Sequence, residues 1–199
     1  WNRITEADLN GDGEKDLILG NLGLNYKYHA SPEKPFEVFA GDFDGNSTYD
    51  VFLAKHLKDK MVPIRGRQCS SEQLPDIVER FPTYRAFAES DITKILGDNI
   101  TKAINLKANN FASEFLIRKG NSFHAVEMPA EAQFGPVKGI VCTDFDQDGK
   151  DDILVAGNWF ASEYETPVAD NSIGLLMKGD GKGNFESQNV NHSGVFLTQ

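Results

Sequence analysis

Three stretches of this chain place acidic side chains on alternate residues and then turn abruptly apolar. They read DLNGDGEKD at 8–16, DFDGNSTYD at 42–50 and DFDQDGKDD at 144–152. Set in one register they share a template, with oxygen-bearing side chains at positions 1, 3 and 5, Asp at position 9, and an apolar run after it. The residues are Asp8, Asn10, Asp12 and Asp16; Asp42, Asp44, Asn46 and Asp50; Asp144, Asp146, Asp148 and Asp152. Like charges this close repel, and no Lys/Arg run stands nearby to neutralise them.

A divalent cation resolves that repulsion. Ca²⁺ takes six to eight oxygens at about 2.3–2.6 Å, and a tight loop with oxygens on alternate residues wraps them around one point. Position 7 would add a backbone carbonyl, from Glu14, Thr48 and Lys150. Side-chain identity is free there, as a backbone ligand predicts. Gly13 and Gly149 at position 6 permit the sharp turn; Ser47 makes the middle loop the odd one. Asp, Asn and Gly also favour plain polar turns. Three copies in one register, each before a β-rich run, favour two or three structural Ca²⁺ ions over three chance turns.

The flanks decide which kind of calcium loop this is. An EF-hand requires an acidic residue at position 12, where this chain has Leu19, Leu53 and Val155. Residues after each loop read as buried strands, without helical periodicity. The copies lie 34 and 102 residues apart, which excludes a tandem nonapeptide β-roll.

A calcium loop between two strands resembles the FG-GAP/VCBS repeats of integrin-α-like β-propellers. QFGPVKGIVCTDFDQDGKDDILVAGN (133–158) is similar to the start of such a blade, with Phe134-Gly135 at the FG signature. IGLLMKGDGKGNFES (173–187) resembles a blade's closing hairpin, turning at Gly179–Asn184, and EFLIRKGNSFHAVEMP (114–129) a second one, turning at Lys119–Ser122. Both also read as hairpins from their alternation around Gly/Asn turns. Together with GNLGLN and FPTY, these segments are similar to long secreted bacterial VCBS proteins of the ASPIC/UnbV type, without that extra domain. The resemblance implies a mainly β fold, a partial β-propeller with calcium loops in its blades. It also implies an extracellular, periplasmic or cell-surface setting.

On this reading one propeller fragment fills 1–199, with blades starting near 1, 35 and 134 and a further one at 194–199. The first blade is expected to be short of a strand. Between Cys69 and Ala108 the texture changes to helix formers, with N-caps at Ser71, Thr83 and Asp91. This helical insertion, about 70–108, is expected to divide the second blade, whose outer part would be the hairpin at 114–129. The chain begins at Trp1, so it is read as a piece of a longer parent whose further blades it would contact.

Composition narrows the function. A net charge of −10 argues against nucleic acid, which needs clustered Lys/Arg. No apolar run approaches the roughly 18 residues of a membrane span. The two cysteines, Cys69 and Cys142, show no metal spacing, and Cys142 sits in an apolar run as a buried thiol. His29, His56, His124 and His192 stand far apart, and no nucleophile elbow, zincin helix or P-loop is present. The expectation is therefore a non-enzymatic calcium-binding scaffold or binding module, with a protein or glycan as ligand. The alternative is a carbohydrate-recognising propeller, with Trp159, Phe160 and Tyr164 stacking on sugar rings; a weaker one is a lyase-like catalytic propeller.

Overall fold

The computed structural model describes residues 1–162 and 166–197. The chain divides into two compact units, Trp1–Lys27 with Phe111–Gln199, and Tyr28–Asn110 between them in sequence. Strand is the dominant element. It forms three four-stranded antiparallel sheets, none closed into a barrel.

Each acidic loop joins the first two strands of a sheet. In the first sheet β1 (Arg3–Ala7) and β2 (Asp16–Gly20) flank 8–15. In the second, β3 (Phe36–Gly41) and β4 (Asp50–Leu57) flank 42–49, and β4 turns at Lys58-Asp59 into β5 (Lys60–Pro63).

A helical segment follows: α1 (Arg67–Gln73), α2 (Ile77–Arg80), α3 (Tyr84–Ala88) and α4 (Ile92–Leu96), then a 3₁₀ stretch at Gly97–Lys102. Thr83 and Asp91 cap α3 and α4 as expected, accepting the N–H groups of Ala86 and Lys94. Ser71 does not act as a cap. It lies inside α1, donates its hydroxyl to the Gln68 carbonyl, and Gly66 holds the cap position. The segment is also shorter than its composition indicates, because Ile104–Ala108 forms β6 on the free edge of β3.

The hairpin of β7 (Glu114–Lys119) and β8 (Ser122–Glu127) corrects a second expectation. It does not belong to the second sheet: β7 pairs with β2, in the register Leu17↔Leu116 and Ile18↔Phe115. The first sheet is therefore complete, in the order β1-β2-β7-β8, and the whole second unit is an excursion between its two halves. The second sheet runs β5-β4-β3-β6.

The third sheet is a meander of β9 (Gly139–Thr143), β10 (Asp152–Ala156), β11 (Leu175–Gly179) and β12 (Phe185–Ser187). Its acidic loop lies between β9 and β10, and its closing turn falls at 180–184. Among the described residues no strand follows: Val190–Ser193 is the short helix α5, and Gly194–Leu197 are irregular. Thr198 and Gln199, the end of the expected blade, lie outside the described residues.

Core packing gives the sheets a direction. In the first unit Ala7, Ile18 and Phe115 of the first sheet meet Ile140, Ile153, Val155 and Met177 of the third. Ile18 is the second residue after its loop's closing Asp, whereas Ile153 and Val155 are the first and third after theirs. Because side chains alternate between faces, the third sheet turns toward this core the face opposite to the one the first sheet turns toward it. The two sheets thus stack in the same sense, front to back. In the second unit Phe52, the counterpart of Ile18, faces the helices instead, among Leu74, Ile77, Phe87 and Ile95.

Candidate metal centre

The three loops share one backbone conformation and, through the N–H groups of positions 5 to 7, one hydrogen-bond scheme. Positions 4 and 6 are left-handed in all of them: Gly11 and Gly13, Gly45 and Ser47, Gln147 and Gly149. That twist turns successive N–H groups inward, onto the side chain at position 1. The N–H of position 6 donates to its Oδ2, at 2.8 Å for Gly13 to Asp8, 2.9 Å for Ser47 to Asp42 and 2.8 Å for Gly149 to Asp144. The N–H of position 5 is shared between positions 1 and 3, from Asp12 to Asp8 and Asn10, Asn46 to Asp42 and Asp44, and Asp148 to Asp144 and Asp146.

Position 7 donates its N–H to position 5: Glu14 to Asp12 at 2.8 Å, Thr48 to Asn46 at 2.7 Å and Lys150 to Asp148 at 3.0 Å. The loops are organised by their own backbone. In the first, the Gly13 N–H, against an opposing desolvation, holds the Asp8 carboxyl below its ordinary range with help from Gly11 and Asp12.

Position 9 anchors the loop to the sheet. Asp16 and Asp152 are fully buried, yet each carboxylate is paired on both oxygens. Oδ2 accepts the N–H of position 2, from Leu9 at 2.9 Å and from Phe145 at 3.1 Å. Oδ1 accepts an N–H from the third strand, Arg118 at 2.7 Å and Gly179 at 3.0 Å. Leu9 and Phe43, at position 2, pin their loops by plugging into the two cores.

The second sheet breaks this scheme for a visible reason. β5 ends at Pro63 and the chain turns into α1, so no third-strand N–H reaches Asp50. Asp50 is 7% exposed, and its Oδ2 has no partner. Burial pushes its carboxyl above the ordinary value against the Phe43 N–H, and the charges of Asp44 and Asp42 push it further.

The sequence-expected ligands come together unevenly: among the described residues only the third loop gathers three carboxylates, and the acidic residues of the first two loops form no such group. In the third loop Asp144, Asp146 and Asp152 each offer an oxygen within 4.8 Å of the others, an arrangement that could hold a metal ion. All-oxygen donors of this kind suit a hard cation, so the residues fit the ion that the spacing implies.

One participant had no signal in the loop pattern. Lys178, on β11 one residue past the Ile153↔Met177 pair, places its ammonium on Asp146 and, at 3.2 Å, on Asp148. Lys150 adds a weaker contact to Asp148 at 3.5 Å. The hairpin register could have exposed Lys178, since it immediately precedes the residue whose N–H Asp152 binds.

The aromatic set fares differently. Trp159 is half-buried, bridged to Ala169, with the Lys138 ammonium 4.1 Å from its ring centre. Phe160 is exposed, and Tyr164 lies outside the described residues. Cys142 packs half-buried against the first core. Its thiol is pushed up to about 12, first by burial and then by the Asp151 charge, so it stays protonated.

Comparisons with known proteins return no match: no family model, no curated protein and no solved structure fits the chain. No helix among the described residues is long and apolar enough to cross a membrane.

Proposed function

We propose that the chain is a calcium-stabilised, non-catalytic repeat module, a scaffold or binding domain of an exported protein. The observation that carries this is the convergence of Asp144, Asp146 and Asp152. It gains weight from the same hydrogen-bond scheme recurring in the other two loops, and from the unpartnered Oδ2 of Asp50.

Side chains at positions 1, 3, 5 and 9, with the carbonyls of Glu14, Thr48 and Lys150, would hold the ions. Bound calcium would supply the positive charge that lets these carboxylates stay ionised side by side. What the chain supplies is preorganisation: Asx-type turns set the oxygens in place beforehand, so less ordering is left to the binding event. Front-to-back stacking of the first and third sheets supports a blade-like repeat, because it leaves faces to which further sheets can add. Extracellular calcium modules bind in about the 10⁻⁴–10⁻³ M range, which suits an exported setting.

Equilibrium dialysis of the chain against Ca²⁺, followed by metal analysis, tests the proposal. Two or three ions per chain are expected, and one fewer in Asp144→Ala. No retained calcium would remove it.

A further inference from the structure

The third loop differs from the other two in its charge. It carries four carboxylates at ligand positions, Asp144, Asp146, Asp148 and Asp152, where each of the others carries three and one amide, Asn10 or Asn46. It also has Lys178 seated on the cluster, in contact with Asp146 and Asp148, beside the weaker contact of its own Lys150 to Asp148 at 3.5 Å. Counted over all nine residues, 8–16 and 42–50 each carry a net charge of −3 and 144–152 a net −4, so Lys178 brings the third loop to the same balance.

Position in the sheet shows how specific this is. Asp152 takes the Gly179 N–H as Asp16 takes that of Arg118. Lys178 therefore corresponds to Ile117 in the first sheet, a residue without charge that packs on the core. In the second sheet the third strand has ended before the equivalent point.

Building on the calcium reading above, we propose that Lys178 is a tethered counter-cation that competes with the metal for the third loop. Without metal its ammonium neutralises the cluster, and the loop stays folded. With metal, two positive charges cannot share Asp146 and Asp148, and the ammonium leaves. It has room to do so, since the Lys178 side chain is 42% exposed and lines an open cavity of about 380 Å³ that extends from Asp146 and Asp152 to Leu176, His192 and Val195. The third loop is then the exchangeable site of the three, prefolded in its metal-free state and weakened in affinity by its own lysine.

The test compares the full chain with Lys178→Met, which keeps the apolar stem, using Ca²⁺ as the only added ion. By calorimetry one site is expected to tighten about tenfold, since binding no longer has to break the Lys178 ion pairs with Asp146 and Asp148, while the other sites hold. In EDTA the variant is expected to melt below the parent, and in saturating Ca²⁺ that gap should close or reverse. The double variant K178M/D148N, with three carboxylates and no lysine, should recover the parent's melting temperature in EDTA.

Equal calcium affinity in parent and K178M would overturn the competition while leaving the calcium reading intact. A melting deficit of the same size with and without Ca²⁺ would do likewise, reducing Lys178 to a packing role. Calcium binding to neither protein would overturn both readings.

Discussion

Asp16 accepts the backbone N–H of Arg118 at 2.7 Å, across 102 residues of chain. With it, β7 closes onto β2, and an excursion of more than eighty residues returns to the sheet it left. The same carboxylate holds the Leu9 N–H. One buried side chain therefore ties the acidic loop, the second strand and the third strand together.

Asp16→Asn keeps the shape but faces one of those N–H donors with an amide NH₂. Hydrogen bonds to charged groups contribute about 1.5–3 kcal/mol each. A loss of about 2 kcal/mol in urea unfolding is expected, measured in EDTA so that any metal is excluded.

Asp50 gives an opposite sign. Its raised folded value means that the native state holds the proton more tightly than the unfolded chain, so stability falls as pH rises from the ordinary 3.8 through that value. In EDTA at pH 7, Asp50→Asn is expected to stabilise by about 1 kcal/mol, the lower end of the cost of an unsatisfied buried group. The gain should fade in urea titrations carried below pH 3.8, and in Ca²⁺ the same substitution should destabilise.

At the N-terminus of α4 the shift runs the other way. The Thr93 hydroxyl and then the Lys94 N–H hold Asp91 below 3.8, against an opposing desolvation. Its contribution is present above the unfolded value and is lost as pH falls through the folded one. Asp91→Ala is expected to cost about 1 kcal/mol at pH 7, and little once the carboxyl is protonated.

The left-handed residue at position 6 makes a backbone prediction independent of charge. Ser47 sits at φ 67° and Gly149 at φ 86°, and a Cβ on Gly149 would meet nothing within 4 Å. Left-handed backbone costs a residue with a Cβ roughly 1–2 kcal/mol. Ser47→Gly is expected to stabilise, and Gly149→Ala to destabilise, each by about 1 kcal/mol in thermal unfolding.

The loops and hairpins were legible because their signals are local. Oxygens on alternate residues, Gly at the turns and an apolar run after Asp16, Asp50 or Asp152 all lie within a dozen residues. Pairing partners were not local. Nothing in 114–129 says whether Leu116 faces Leu17 or a strand of the second sheet, since either would bury it equally well. That choice is made by tertiary contact across the excursion. Ile104–Ala108 was hidden for a related reason: it is an edge strand with Ile104 and Leu106 exposed, so no half-buried alternation marks it off from the helical stretch. Ser71 has the right chemistry for a cap, but α1 already begins at Arg67. Lys178 is an ordinary lysine until the register sets it against Asp146.

Thermal unfolding of the full chain in EDTA and again after Ca²⁺ is restored tests the central claim most directly. Binding to the folded state alone stabilises by about 2.7 kcal/mol per site at a hundredfold excess over Kd. The expected result is a melting temperature that drops by several degrees in EDTA and recovers with Ca²⁺, with a smaller recovery in Asp144→Ala. Identical melting with and without calcium, and no heat of binding, would contradict it. The three loops would then be acidic turns held by their own backbone N–H groups.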